Sequence, residues 1–359
     1  RDQDRITFAR PFRRLQAKTQ VHPLPHDSHV RNRLVHTLEV ASVGRSLGVK
    51  AAGLIEDRLK GEEISPQEVG AVVRAACLIH DIGNPTFGHA GEEALATKLA
   101  VLSDGLTDAP ADLACFDGNA QGFRIVTKID MHRMARGFRL TYASLGAMLK
   151  YPWGALDDRS RAGTKFCVFD TERDAFADVV RHLYGVDDPA AAPRHPATWL
   201  MEAADDIAYT LADLEDAVDL GIVPAREFIE IVAPIAGRPG GGVASLRGLA
   251  IGKLIDAAAD ESAKAVKGDV EAHKNVWNAK PGDERTTLQT QAAVWATRQN
   301  GHRVDCPSCS SIALVIGEPV SAPTQKLDSD EIIETQEYLP TNFECVACNL
   351  KIAGLSRLA

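Results

Sequence analysis

The sequence predicts a mainly α-helical protein with a small β segment near its C-terminal end. Three stretches indicate the long helices. Between Arg33 and Leu47 the apolar residues recur with the period of one helical face. Residues 71–79 are nearly all apolar, as in a helix that is buried on most sides. Residues 201–217 combine apolar and acidic side chains at helical spacing, so we expect a third long helix there.

Local start and stop signals predict further boundaries. We expect Gly48 to end the first helix. Ser65 is expected to cap the second helix, with Pro66 at its first position, and the Gly-Asn-Pro run at 83–85 to end it. Residues 103–123 read as a polar loop. Further helices are predicted near 124–134, 140–150, 173–184 and 197–218.

Composition excludes several classes of protein. With 359 residues, 45% of them hydrophobic and 25% charged, the chain resembles an ordinary soluble globular protein. It contains no apolar run of the ~20 residues that a membrane span requires, and it opens with no signal peptide. We therefore expect a cytoplasmic protein with no membrane partner. The net charge of −9 disfavours broad nucleic-acid binding.

Charge is unevenly distributed. Residues 1–50 hold ten Lys and Arg against four Asp and Glu. This excess suits a polyanionic small substrate, although a solvated basic arm would have the same composition. For the chain as a whole we expect a large domain over 1–265, a linker or helical connection over 266–300 and a small domain over 301–359. Within the large domain, the glycine-rich run at 237–242 is expected to be a flexible break.

A His-Asp pair stands at the end of the most apolar helix. Burying the carboxylate of Asp81 beside the imidazole of His80 is costly unless a cation such as a divalent metal compensates the charge. The alternative is a chance pair that is capped and half-solvated. His36 lies in the first long helix and Asp205 in the third. A His, a His-Asp pair and a distant Asp on separate helices resemble the pattern of the HD phosphohydrolase superfamily. Two nitrogens and two carboxylates suit Mn, Fe, Mg or Zn.

The third helix presents a polar face. Asp205, Tyr209 and Asp213 are spaced i, i+4 and i+8, so they lie along one side of the helix. Along the helix axis, Tyr209 would lie ~6 Å and Asp213 ~12 Å from Asp205. This spacing fits a substrate with phosphates at a metal, a sugar in the middle and a hydroxyl group further out. An amphipathic helix with incidental carboxylates is the alternative. Four other acidic residues of this helix are expected to point elsewhere and to be solvated: Glu202, Asp206, Glu215 and Asp216.

Four runs resemble one particular family. They are HDIGNPTFGHAGEEAL at 80–95, FDGNAQGFRI at 116–125, LKYPW at 149–153 and MEAADDIAYTLADLEDA at 201–217. In this order they resemble the deoxyguanosine triphosphate triphosphohydrolases, the bacterial dGTPases and dNTPases. The resemblance covers roughly residues 1–260. It implies a helical HD-domain fold and cleavage of dGTP or several dNTPs into deoxynucleoside and tripolyphosphate.

The resemblance also implies roles for individual residues. The metal ligands would be His36, His80, Asp81 and Asp205. Asp205 is chosen over Asp206 because the family's ligand precedes its tyrosine by four residues. His89 would be the catalytic histidine and Glu92 its carboxylate partner, since a spacing of three lets the carboxylate orient the imidazole.

Substrate contacts follow from the same resemblance. Gln20 and Asp213 would bind the sugar 3′-hydroxyl, and Tyr209 would lie against the sugar. The phosphate-contacting positions would be Arg33, Asn119, Lys150, Tyr151 and Lys165. Two departures are visible: Asp117 stands where the family usually has Glu, and the Lys165-Phe-Cys run matches the family less closely than the other runs.

Activity and assembly are expected from the family. Metal and basic side chains would neutralise the triphosphate while water attacks the α-phosphorus. We expect a homo-oligomer, a hexamer or tetramer, and a possible role in antiphage defence through dNTP depletion. Two alternatives remain open: another HD phosphohydrolase, such as a nucleotidase or single-strand exonuclease, and a dNTP-sensing regulator without turnover.

The cysteines fall into two groups. Three are isolated and are expected to be structural thiols: Cys77, Cys115 and Cys167. Four form two CxxC pairs: Cys306, Cys309, Cys345 and Cys348. In a reducing compartment such pairs predict a structural zinc ribbon, with unligated thiols or disulfides as the alternative.

The C-terminal segment would be a β ribbon. Strands are predicted at 312–316 and 342–345, with a loop at 323–330 between them. Residues 301–359 hold eight Asp and Glu against four Lys and Arg, which makes nucleic-acid binding doubtful. We therefore expect the ribbon to contact a protein, either another subunit or an outside trigger.

Overall fold

The computed structural model describes residues 1–21, 29–59, 64–103, 112–129, 137–163 and 165–267, together with four strands between 303 and 353. The chain divides into two compact units, Arg1–Lys280 and Pro281–Ala359. Most of the predicted linker 266–300 lies outside the described residues. The same is true of all four cysteines predicted to bind zinc.

The first unit is built from helices. Their bounds are α1 Asp2–Thr7, α2 Arg10–Arg14, α3 Arg33–Gly53, α4 Glu56–Leu59, α5 Pro66–Ile79, α6 Gly88–Ser103, α7 Gly118–Thr127, α8 Tyr142–Met148, α9 Asp158–Gly163, α10 Arg173–Tyr184, α11 Pro196–Asp219, α12 Ala225–Ala236 and α13 Val243–Val266. Short 3₁₀ segments cover Leu15–Ala17, Asp170–Glu172 and Pro189–Ala191. The predicted mainly α-helical class is confirmed.

The core lies where α3, α5 and α11 pack against one another, with α13 against α3 and α11 and with α8 against α5 and α11. Val40 and Leu47 of α3, Val73 and Ile79 of α5 and Leu211 of α11 are fully buried there. Each such side chain contributes about 1.5–3 kcal/mol on burial. This apolar packing fixes the three helices that carry the candidate site.

Helices α3 and α5 approach closely through two glycines. A Cβ atom on Gly48 would lie 2.9 Å from the Cα atom of Gly70. Gly48 therefore serves close packing, and α3 continues past it to Gly53. The prediction that Gly48 ends this helix is wrong, because the packing offsets the cost of about 1 kcal/mol for glycine inside a helix.

The start of α5 is confirmed. The Ser65 hydroxyl accepts a hydrogen bond from the Glu68 N–H, and the Glu68 carboxylate accepts one from the Ser65 N–H. This capping box precedes Pro66 at the first helical position. The helix ends at Ile79, so His80 and Asp81 begin the turn that follows it. The pair is thereby held at the end of a buried helix.

Helix α7 corrects the predicted loop at 103–123 and the predicted helix at 124–134. It begins at Gly118, where the Asp117 side chain accepts a hydrogen bond from the Asn119 N–H. Gly118 and Gly122 favoured a loop in the sequence, yet both lie where α7 meets the turn at Gly83. A Cβ atom on Gly83 would overlap backbone atoms of both. Residues 130–136 lie outside the described part.

Other predicted elements agree with the structure. Helix α10 spans Arg173–Tyr184 and α11 spans Pro196–Asp219, as predicted, and α8 lies within the predicted range 140–150. The break at 237–242 separates α12 from α13. Cys77, Cys115 and Cys167 are unpaired thiols, as expected. In the part of the chain that the structure describes, no helix has both the length and the apolarity needed to cross a bilayer.

The second unit contains an antiparallel sheet of four strands in the order β1-β2-β3-β4. These are β1 Arg303–Asp305, β2 Ile312–Gln325, β3 Ile332–Glu344 and β4 Lys351–Ala353. In the long β2–β3 pair Val320 lies opposite Glu337, and the register shifts between Ile316 and Gly317. The strands are longer than predicted. Because β2 continues to Gln325, the predicted loop at 323–330 begins too early. The zinc ribbon itself stays a prediction.

Candidate active site

Three helices bring His36, His80 and Asp205 together. The Nε2 atom of His36 lies 3.0 Å from Oδ1 of Asp205, and Nε2 of His80 lies 3.5 Å from the same oxygen. One ligand atom from each residue lies within 4.8 Å of the other two. His36 and His80 are buried, and their rings meet edge to face with centroids 5.5 Å apart. The geometry is that of a group able to hold a metal ion.

The His80 ring has a defined tautomer when neutral. Its Nδ1 atom lies 2.6 Å from the carbonyl oxygen of Cys77, and a carbonyl can only accept. Nδ1 therefore carries the proton and Nε2 the lone pair. Both Nε2 of His80 and Nδ1 of His36 are buried without a hydrogen-bond partner. An orphaned imidazole nitrogen beside a carboxylate, as Nε2 of His80 is beside Asp205, is a donor that fits a divalent cation.

The charges around His80 also favour a bound cation. Burial opposes a charged imidazole, but the carboxylates of Asp81 and Asp205 outweigh it and raise the His80 pKa to about 10. Burial likewise opposes ionisation of Asp205, but His80 and His36 hold its pKa below its usual value. The carboxylates thus attract positive charge into this site. A divalent ion would take the place of the protons.

Asp81 lies beside the three-residue group. Its Oδ2 atom is 3.3 Å from Nε2 of His80 and also pairs with the guanidinium of Arg33. Its Oδ1 atom accepts a 2.6 Å hydrogen bond from the Asn84 side chain. Sequence reasoning treated Asn84 only as part of a helix stop, and its spacing of three from Asp81 was the signal that could have identified this contact.

His89 and Glu92 stand together at the start of α6. The Nδ1 atom of His89 lies 2.9 Å from Oε2 of Glu92, whose Oε1 accepts a 2.8 Å hydrogen bond from the Gly118 N–H. Burial raises the pKa of Glu92, but His89 and Lys165 outweigh this and lower it to about 2. The ionised carboxylate keeps the proton on Nδ1, so Nε2 is the nitrogen suited to proton exchange. The His89 side chain is 44% exposed.

Two predicted phosphate contacts pair with acidic residues. Lys165 Nζ lies 3.3 Å from Oε2 of Glu92, next to the His89 dyad. Lys150 Nζ lies 3.8 Å from Oε1 of Glu202. In both lysines burial opposes the charge, and the neighbouring carboxylates raise the pKa nevertheless. Both ammonium groups stay charged, as phosphate binding requires.

Other predicted substrate residues have structural contacts. Asn119 donates from its backbone and its side chain to Oδ1 of Asp117, at 2.7 and 2.8 Å, so it belongs to the cap of α7. Tyr151 lies beside Trp153 with ring centroids 5.7 Å apart. The Arg33 Nε–H donates to the carbonyl oxygen of Thr19 over 3.2 Å.

Residues predicted to bind the sugar lie on two separate segments of the chain. Gln20 is half-buried, and its Oε1 atom is buried without a hydrogen-bond partner. It follows Thr19, whose N–H donates to the Thr86 carbonyl oxygen in the turn after α5 over 3.0 Å. Tyr209 and Asp213 are half-buried on α11, in register with Asp205.

The structure buries three of the four α11 carboxylates that were expected to be solvated: Glu202, Glu215 and Asp216. Asp206 is partly exposed. Arg31 pairs with Glu215 and Asp216, and Arg194 pairs with Glu202. The prediction is wrong for these three because each carboxylate meets a buried or half-buried cation from elsewhere in the chain.

Lys18 is a site neighbour that sequence reasoning missed. Its Nζ atom donates a 3.1 Å hydrogen bond to the carbonyl oxygen of Ile82, directly after the His-Asp pair. Burial, together with the charges of Arg33 and Arg14, lowers its pKa to about 8. In the sequence it is one of ten basic residues in 1–50, and nothing there distinguishes it.

Comparison with known proteins assigns the chain to a class. The HD domain family matches residues 33–109, a range that includes α3, the His-Asp pair and the His89–Glu92 pair. The chain therefore contains an HD domain.

Relatives narrow the class further. A deoxyguanosinetriphosphate triphosphohydrolase-like protein of Pseudomonas aeruginosa (strain LESB58) is 42% identical over 251 residues, 67% of this chain and 55% of the relative. One from Synechocystis sp. is 38% identical over 283 residues, 71% of this chain and 64% of the relative. The deoxyguanosinetriphosphate triphosphohydrolase of Klebsiella pneumoniae is 36% identical over 269 residues, 64% of this chain and 51% of the relative.

The chain belongs to the HD-domain deoxyguanosinetriphosphate triphosphohydrolase family. It spans between about half and two thirds of the length of the curated relatives it matches.

Proposed function

We propose that this protein hydrolyses deoxynucleoside triphosphates, dGTP or several dNTPs, to deoxynucleoside and tripolyphosphate. The observation that carries the proposal is the convergence of His36, His80 and Asp205, with the orphaned Nε2 atom of His80 beside the Asp205 carboxylate. Asp81 is proposed as the fourth ligand. The donor set fits Mn, Mg or Fe. When bound, the divalent ion supplies positive charge against the triphosphate and polarises the α-phosphorus.

The chain's own residues would perform the remaining steps. Arg33, Lys150 and Lys165 bring positive charge to the triphosphate. His89, with its Nδ1 proton held by Glu92, exchanges a proton at Nε2 with the attacking water or the departing 5′-oxygen. Water adds to the α-phosphorus, and the bond from phosphorus to the 5′-oxygen breaks.

The sugar would be bound along α11. Tyr209, one turn from Asp205, lies against the sugar ring. Asp213, a second turn further, binds the 3′-hydroxyl together with Gln20. The buried and unpartnered Oε1 atom of Gln20 supports this role, because it is an acceptor suited to a hydroxyl donor. Close packing beneath the sugar would exclude a ribose 2′-hydroxyl.

Product analysis tests the proposal. The protein is incubated with each dNTP and each NTP, with Mn or Mg, and the products are identified by mass spectrometry. Deoxynucleoside with tripolyphosphate is the expected result. Deoxynucleoside monophosphate would indicate a different HD phosphohydrolase, and binding without turnover would indicate a regulator.

The C-terminal unit is proposed to be a zinc ribbon held by Cys306, Cys309, Cys345 and Cys348. The two CxxC spacings support it, since each pair can reach one tetrahedral ion. The ribbon would contact another subunit of a hexamer or tetramer, or a protein trigger in antiphage defence. Cys309→Ser is expected to lose zinc and alter the oligomer mass while retaining hydrolysis. Intact zinc content would refute the site, and normal assembly with abolished hydrolysis would refute the non-catalytic role.

A further inference from the structure

A buried carboxylate lies one turn before Asp205 on α11. Glu202 is 3% exposed, and its Oε2 atom pairs with the guanidinium of Arg194. That guanidinium also lies over the ring of Trp199, 4.2 Å from its centroid. On its other side Glu202 faces Lys150, at the end of α8. Three segments thus meet around one carboxylate next to the candidate metal site.

The two oxygens of Glu202 are not equivalent. Oε2 is bound by Arg194, whereas Oε1 is buried and has no hydrogen-bond partner. The Lys150 ammonium lies 3.8 Å from Oε1. This distance is too long for a hydrogen bond but short enough for strong charge attraction in a buried place. Glu202 therefore attracts the ammonium group electrostatically without accepting a hydrogen bond from it.

This arrangement suits a lysine that binds phosphate. An ammonium group that donates to a carboxylate loses part of its capacity to donate to a ligand. Here the carboxylate fixes the position and the charge of Lys150, while Asp205 and Asp206 add their own attraction from the next turn of α11. The Lys150 side chain is 26% exposed, so it can meet a ligand from solvent.

The cost of burying Glu202 also calls for a reason. A carboxylate in an apolar interior loses most of its hydration even when it is paired. Burial raises the pKa of Glu202 to about 7 although Lys150 and Arg194 both favour its ionised form. Around it α11 is packed by apolar residues such as Met201 and Ala203. A glutamate is not needed there for packing.

We propose that Glu202 is a positioning residue that holds Lys150 in the orientation in which it binds the substrate phosphates. This inference rests on the proposed dNTP hydrolysis. A substitution of Glu202 would act through Lys150. It would therefore change mainly the KM and the affinity for polyphosphate.

A double-mutant cycle tests the inference, with wild type, Glu202→Gln, Lys150→Met and the double variant. Glutamine keeps the size of the side chain and an oxygen for Arg194 but removes the charge. We expect Glu202→Gln to raise KM about tenfold, because the hydrogen bond from Lys150 to the charged phosphate would be weakened. In the Lys150→Met background the same change is expected to leave KM unaltered. Equilibrium binding of tripolyphosphate, measured by calorimetry, should follow the same pattern.

Further variants separate positioning from structure. Glu202→Asp keeps the charge at a shorter reach and is expected to retain part of the wild-type affinity. Glu215→Gln is a matched control, because it removes another buried carboxylate from the same helix about 20 Å away along the axis. It is expected to lower the melting temperature without raising KM. Arg194→Met tests whether Glu202 acts through Arg194 instead. In that case the effect of Glu202→Gln on KM would persist in the Lys150→Met background.

The outcomes are distinct. Equal KM effects of Glu202→Gln in both backgrounds, or a changed melting temperature with unchanged KM and tripolyphosphate affinity, would overturn the inference. If wild-type protein hydrolyses no dNTP, the proposed function fails, and the tripolyphosphate cycle still decides whether Glu202 acts through Lys150.

Discussion

Arg33 and Asp81 form a buried ion pair that joins a predicted phosphate contact to a predicted metal ligand. Arg33 stands at the first turn of α3, one turn before His36 on the same helix. Burial opposes ionisation of Asp81, but the charge of Arg33, together with His80 and His36, outweighs it and holds the pKa of Asp81 well below its usual value. The carboxylate that would bind the cation is therefore ionised before the cation arrives, and the guanidinium is already oriented beside it.

Removing a ligand should remove the metal. We expect His80→Ala to abolish turnover and to strip the divalent ion, because His80 supplies a lone pair that no neighbour replaces. The fold should persist, since α5 is held by its apolar side chains. Bound metal is measured by elemental analysis and folding by thermal melting. His182→Ala is the matched control, as this histidine is exposed on α10. Turnover that persists after stoichiometric loss of metal would contradict the assignment.

The His89 dyad predicts a defect in rate. His89→Ala should retain metal and substrate but lose ~100-fold or more in kcat, the usual contribution of a general acid–base group. Glu92→Gln should also lower kcat, because the amide no longer fixes the His89 proton. Glu93→Gln, an exposed neighbour on α6, serves as the control. An unchanged kcat with collapsed affinity would make His89 a binding residue instead.

The sugar contacts predict a change in selectivity. Asp213→Ala and Gln20→Ala should weaken the preference for a substrate with a free 3′-hydroxyl, because the wild-type site leaves polar groups unpaired when that hydroxyl is missing. The measurement compares kcat/KM for a dNTP and its 2′,3′-dideoxy analogue. Asp219→Ala, an exposed position at the end of α11, should not alter the ratio. Equal discrimination by wild type and both site variants would refute the assignment.

Glu202 predicts a pH dependence of stability. Its pKa rises from 4.5 to about 7 on folding because of burial. The folded state then binds a proton that the unfolded chain releases, so the free energy of unfolding falls as the pH rises from about 4.5 to about 7. Glu202→Gln should remove this contribution. Urea denaturation of both proteins across that range is the measurement, and parallel curves would show that the Glu202 pKa is ordinary.

Arg31 predicts a large loss of stability. It donates to Glu39 over 2.7 Å and to the Ala212 carbonyl oxygen over 3.2 Å, and it pairs with Asp216. Arg31→Met should lower the free energy of unfolding by about 3–5 kcal/mol, because it leaves buried carboxylates without their cation. The control is Arg181→Met, which removes an exposed pair and should cost at most about 1 kcal/mol. A loss for Arg31→Met as small as that of the control would contradict the role of the network.

Local signals predicted much of the fold and part of the candidate site. The apolar periods of α3, α5 and α11 and the capping box at Ser65 involve residues that are close together in the sequence. They can therefore be recognised without the structure. The contact of His89 with Glu92 also follows from their spacing on one helix. These features depend on neighbours in the chain.

Features that depend on distant partners were not predictable in the same way. Asp216 looked solvated because its cation, Arg31, lies 185 residues away in sequence. Gly48 looked like a helix stop because the close contact with Gly70 forms only when α3 and α5 pack. Lys18 is indistinguishable from other basic residues until the carbonyl of Ile82 is placed beside it.

The packing of Gly83 against α7 has a mechanical consequence. The turn that carries His80 and Asp81 touches the backbone at Gly118, and the N–H of Gly118 holds the carboxylate of Glu92. A displacement of the turn away from α7 would therefore also disturb the backbone contact of Glu92. The proposed metal ligands of this turn and the proposed His89–Glu92 pair therefore share one backbone support at the start of α7.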